Sequence, residues 1–130
     1  MGALADLRTR VAAALQPQTG ESWEVHDLPV DSLVPPAYLL TWSDRWLAPS
    51  THCFWAARLD VVTIANRVDV EPGMELLETL VETALGRLAA AGLPAINALR
   101  PSRFEIGGIT YLATRLIITH PISFQEVPDG

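Results

Sequence analysis

The sequence predicts an α+β fold in which a mainly antiparallel sheet packs its apolar face against two helices, in the order α-β-β-β(long)-α-β-β. Three observations carry this. Residues 52–70 (HCFWAARLDVVTIANRVDV) form the longest strand-like run, dense in β-branched and aromatic residues and free of Gly and Pro. Leu76, Leu77, Leu80, Val81, Ala84, Leu85 and Leu88 fall on one stripe at helical spacing. Gly107 and Gly108 separate two β-prone runs, the pattern of a two-residue hairpin whose central positions often need positive φ.

From the N-terminus, Leu4, Leu7, Val11 and Leu15 recur at helical spacing beside Arg8 and Arg10, so residues 3–16 read as an amphipathic helix ended by Pro17. Residues 22–28 alternate, with Trp23 and Val25 on one side and Glu24 and His26 on the other, describing a half-buried strand stopped by Pro29. Pro35 and Pro36 lead into a short second strand, Tyr38 to Trp42, since a residue before proline is steered away from helix. Residues 43–51 (SDRWLAPST) read as a turn-rich loop that nevertheless carries Trp46 and Leu47. Either Trp46 folds back on its own hairpin as a lid, or it anchors an intermolecular contact, where Trp and Arg are enriched.

Along the long strand, Cys53, Trp55, Ala57, Leu59 and Val61 alternate with Arg58 and Asp60, giving one dry and one wet face. From Val61 to Ala65 both faces turn apolar. That change predicts cover by a helix on one side and by another element or subunit on the other. Glu71, Pro72 and Gly73 make a break, with Pro72 placed to open the second helix. Its Glu71, Glu75, Glu78 and Glu82 lie toward the N-terminal half and Arg87 toward the other end, matching the helix dipole; Ala91, Gly92 and Pro94 close it. Gly86 costs this helix about 1 kcal/mol, which points to a close backbone approach there. In the last third, Arg103 to Ile106 and Ile109 to His120 flank the two glycines, and Leu116, Ile117 and Ile118, apolar on both faces, place the final strand centrally. The tail ending in Val127, Pro128, Asp129 and Gly130 reads as loosely held.

The 130 residues match one domain, 1–130, and a hydrophobic fraction of 49% supplies a single core. A net charge of -6 gives a nucleic-acid surface little support, although all nine basic residues are Arg, a side chain suited to interfaces. The lone Cys53 excludes an intrachain disulfide and fits a reducing compartment. Asp6, Arg8 and Arg10 interrupt any signal-like apolar run, and no window holds the roughly 20 apolar residues of a membrane span, so a soluble, cytosolic chain is expected.

No catalytic pattern emerges. His52 and Cys53 are adjacent, and neighbours on a strand point to opposite faces, so they make a poor nucleophile pair; a buried structural cysteine is the simpler reading. His26, His52 and His120 show no metal-ligand spacing. The acidic stripe of the second helix reads as a solvated face, and Gly107-Gly108 lacks the setting of a phosphate loop. Arg100, Arg103 and Arg115 with Phe104 and Tyr111 could make a basic patch, but ion pairs with Glu105 and other carboxylates account for them more simply. No cofactor is expected.

The N-terminal helix LADLRTRVAAAL, the segment ESWEVHDLPVDSLVPPAYLL, the long strand, the helix MELLETLVETALGRLAAAG and the hairpin RFEIGGITYLATRLIITHPI together resemble tail terminator proteins of long-tailed bacteriophages, particularly those of actinobacteria. The resemblance covers most of the chain and rests on layout rather than a signature motif; neighbouring neck and tail-completion proteins share similar layouts. It implies a structural virion protein of the tail and neck, assembled in the host cytoplasm and without catalysis. Its copies would form a homohexameric ring that caps the tail tube, ends polymerisation of the major tail tube protein and docks the neck or stopper protein. DNA would pass through the lumen without specific binding, and no membrane is involved. Interface candidates are Asp44, Arg45, Trp46 and Leu47 in the loop, with Arg58 and Asp60 on the wet face of the long strand. Alternatives are a head-closure or stopper component, or a small α+β enzyme or ligand-binding domain with a pocket near Trp23, Trp42 and Trp55.

Overall fold

Leu7 and Val11 of the first helix and Leu77, Leu80, Ala84 and Leu88 of the second are buried against one face of a single sheet, as their helical spacing predicts. The computed structural model describes residues 2–49, 54–68 and 73–123. Among these the order is α1 (Ala3–Ala14), β1 (Glu24–His26), β2 (Ala37–Pro49), β3 (Phe54–Arg67), α2 (Gly73–Ala90), β4 (Ala95–Ala98), β5 (Ser102–Ile106) and β6 (Ile109–Ser123). His52, Cys53, Val70, Glu71 and Pro72, with Ser50, Thr51 and the tail from Phe124 to Gly130, lie outside the described residues.

The fold is α+β with a mixed, mostly antiparallel sheet of order β1-β2-β3-β6-β4, and β5 pairs with the first part of β6. Among the described residues only the β1–β2 pairing is parallel. β6 therefore lies centrally, as its two apolar faces require. Tyr38, Leu40, Leu59, Val61, Leu116 and Ile118 form the sheet's contribution to the helix-side core. Tyr38 also donates its hydroxyl to the Leu80 carbonyl of α2 at 2.7 Å, and burial pushes its phenol above the usual range.

The opposite face carries a second, smaller core of Leu39, Val62, Ile64, Ile106, Tyr111 and Ala113, with Val30, Leu33 and Phe104 packed on it. The cover anticipated for Val61 to Ala65 thus comes from the same chain, through residues 27–36 and the β5–β6 hairpin. Tyr111 reaches from this face toward the Leu33 carbonyl at 3.5 Å. The hairpin itself follows the glycine reading: Ile106 pairs with Ile109 around Gly107 at φ 59° and Gly108 at φ 82°.

Arg87 ties α2 to the entrance of the sheet. Its guanidinium pairs with Glu21, donates to the Gln16 carbonyl at 3.3 Å and lies 5.2 Å from the Trp23 ring, while Trp23 donates to the Leu15 carbonyl at 2.7 Å. That hydrogen bond from Arg87 holds the Glu21 carboxyl below its ordinary pKa. Glu24 is held low in the same sense, chiefly by His26 at 2.7 Å and also by the Val34 amide.

Three readings need correction, and one strand, β4, is not anticipated by the sequence. Residues 43–49 are not a loop but the distal half of β2, which is 13 residues long. β4 carries no clear sequence signal, because its four residues Ala-Ile-Asn-Ala lack alternation and three of them are exposed. Gly86 makes no close approach: a β-carbon there would meet nothing within 4 Å. Leu85, placed on the apolar stripe of α2, is exposed.

Candidate functional site

The β2–β3 ribbon contains one large irregularity. Trp42 pairs with Leu59 and Leu47 pairs with Ala57, so Ser43, Asp44, Arg45 and Trp46 together oppose the single residue Arg58. An insertion of this kind disrupts the ladder, bends the strand and re-aims its side chains. Asp44, Arg45, Trp46 and Arg58 are all exposed at this bulge, and Leu47 closes it by packing at the margin of the helix-side core. The bulge brings together five of the six residues singled out from the sequence.

Trp46 stacks on Trp42, four residues back on its own strand, with ring centroids 5.1 Å apart and planes tilted by 46°. It still leaves 37% of its surface exposed, so the folded-back position does not hide the indole. Phe54 and Trp55 at the start of β3 are exposed as well. Beyond Leu39 the outer edge of β2 has no strand beside it among the described residues, since β1 pairs only with Ala37, Tyr38 and Leu39. The ribbon is thus a bulged edge with aromatic side chains and two arginines on it. Neither Arg45 nor Arg58 has an ion-pair partner among the described residues.

Asp60 stands apart from this group. Its side chain is 8% exposed, accepts from Arg115 at 2.9 Å and also binds the Ser43 hydroxyl, so it is an internal partner rather than a surface contact. Strand alternation places Asp60 away from the helices, but residues 27–36 and β5 turn that face partly into core. Arg115 therefore pairs with Asp60 rather than with Glu105, and lies 5.3 Å from the Phe104 ring. Periodicity within one strand could not reveal this cover.

Among the described residues Trp23, Trp42, Trp46 and Trp55 line none of the four main clefts. Trp23 meets Tyr38 edge-on at 5.6 Å, and Trp42 meets Trp46. One cleft of 460 Å³ opens between residues 29–31, β5 and the floor of β2 and β6, where Leu39, Thr41 and Arg115 lie. A second, of 270 Å³, runs between α2 and the end of β4. Sequence reading missed this second groove. Its signal was available in Met74 and Leu99, large apolar residues outside the buried stripe, which are exposed at its mouth. Among the described residues no group of three or more His, Cys, Asp or Glu gathers as a metal-ligand set, and no helix is long and apolar enough to cross a membrane.

No protein-family model matches the sequence, and no curated protein matches it.

Proposed function

We propose that this chain is a structural assembly protein of the tail-terminator kind, forming a ring that caps a phage tail tube, ends tube polymerisation and presents a docking surface to the neck. The bulged β2–β3 ribbon carries this reading. Its unpaired outer edge, exposed Trp46 and Phe54, and unpartnered arginines suit a broad protein contact, where aromatic and Arg side chains concentrate binding energy. In a ring of more than two copies such a patch meets a different patch on the next copy, and heterologous contacts of this kind close into a ring when the rotation between neighbours closes. The hexameric number, the tube and neck partners and a place in the virion tail come from the resemblance in layout.

A ligand-binding domain is the reading from another class, and its natural seat is the cleft beside β5. Among the described residues the one basic residue lining that cleft, Arg115, is already paired with Asp60, which leaves the exposed carboxylates Asp31 and Glu105 as its charged groups and no free cation to hold an anionic ligand. Electron microscopy of the purified protein, alone and with its tube protein, tests the terminator reading. Closed rings at tube ends, and tubes of uncontrolled length when the protein is withheld, are the expected results. Single subunits under both conditions overturn it. A gene position just before a major tail tube gene would separate a terminator from a stopper.

A further inference from the structure

We propose that the bulged ribbon of one copy docks into the groove between α2 and β4 of the next copy; this rests on the ring reading and names its subunit contact. The groove is apolar inside, where Met74, Leu77, Val81 and Leu99 line it, and acidic at the side formed by Glu78 and Glu82. Both glutamates are exposed, and neither has an ion-pair partner among the described residues. The ribbon offers the complement: an exposed indole at Trp46 flanked by Arg45 and by Arg58 across the bulge, against the single acid Asp44. Among the described residues no basic residue lines the groove; Arg100, between the lining residues Leu99 and Pro101, is exposed outside it. Charge and shape therefore match in sign and in kind.

Placement argues for a second copy of this chain as the occupant. The sheet order puts β2 toward one edge and β4 at the other. Thr114, which lines the groove, pairs with Thr63, whereas the bulge sits opposite Arg58, five residues and roughly 17 Å farther along the strand at about 3.3 Å per residue. The two surfaces thus lie toward opposite edges of the sheet and are offset along it. One copy cannot join them internally. Each subunit instead gives its ribbon to one neighbour and its groove to the other, which is the head-to-tail arrangement a closed ring needs.

Charge reversal on the full-length chain tests the contact, with sedimentation velocity as the readout. The ribbon variant Arg45→Glu/Arg58→Glu and the groove variant Glu78→Arg/Glu82→Arg should each weaken self-association by about tenfold or more, since like charges then face each other. An equimolar mixture should recover assembly, because each variant's ribbon then meets a groove of opposite charge. The four-residue variant should recover it alone. Circular dichroism confirms folding, and Glu78→Gln/Glu82→Gln, which removes charge without reversing it, should give a smaller loss. If wild type assembles and the two variants assemble equally well, or the mixture recovers nothing, the contact is wrong while the ring stands. If wild type remains a single subunit with and without tube protein, the ring reading falls and takes this contact with it.

Discussion

Arg115 donates from Nη1 to the Asp60 carboxylate at 2.9 Å on the sheet face away from the helices, joining neighbouring strands β6 and β3. Asp60 is nearly enclosed, while Arg115 keeps 37% of its side chain exposed. The two substitutions should therefore differ. Arg115→Met leaves a carboxylate facing the small core of Val62 and Ala113 with Ser43 as its remaining partner, a loss of about 1–3 kcal/mol. Asp60→Asn can still accept from Arg115 through its amide oxygen while its NH2 donates to the Ser43 hydroxyl oxygen, and it strands no buried charge, so it should cost less. Urea unfolding of both variants and of the double variant measures the coupling.

Gly107 occupies the first central position of the hairpin, where Asn is ordinarily welcome at positive φ. Here a β-carbon would collide with the Asp31 carbonyl oxygen, because residues 27–36 cross beneath the turn. Gly107→Asn is expected to destabilise by about 1–3 kcal/mol, as other forced insertions do. Gly86 gives the opposite case: the site is helical and open, so Gly86→Ala should stabilise by about 0.5–1 kcal/mol. Thermal melts of the pair should move in opposite directions.

These two glycines also show what sequence can and cannot carry. The helices, the long strand, the Gly-Gly turn and the central position of β6 were legible because each is written in local spacing or in turn chemistry. The distal half of β2 was not, since Ser43, Asp44, Arg45 and Pro49 mimic a loop when strand pairing with β3 is unseen. Asp60 looked solvent-facing for a related reason: its cover comes from Arg115 and from chain remote in sequence. The bulge site was half-legible. Its residues stood out as apolar or charged in an odd setting, but their convergence on Arg58 depends on register.

His120 predicts an acid-sensitive step. Burial, aided by Arg10 of α1, lowers its pKa below the ordinary 6.5, so folding favours the neutral ring. The folded protein then binds fewer protons than the unfolded chain below that value. Stability is fully present above about pH 6.5 and declines as pH falls through it toward the folded-state pKa. Glu21 and Glu24, both lowered, add a separate loss below their ordinary 4.5. His120→Gln should flatten the upper step in a plot of denaturation midpoint against pH and leave the lower one in place.

Trp46 and Trp42 separate packing from assembly within one stacked pair. Trp42 packs at the edge of the helix-side core, so Trp42→Ala opens a void there and should cost about 2–4 kcal/mol. Trp46 is not part of that core; it stacks on Trp42 and keeps 37% of its surface exposed. Trp46→Ala should cost about 1 kcal/mol, in line with a single aromatic pair. In a domain of this size that is a drop of about 3–5 °C in melting temperature. Its effect on association should be far larger under the proposed ring contact, in which the exposed indole serves as the ribbon's aromatic anchor. Ring formation and tail-length control should fail in Trp46→Ala at temperatures where the protein is still folded. A melting drop as large as that of Trp42→Ala, with rings still forming below the transition, would make Trp46 a packing residue and remove it from the interface.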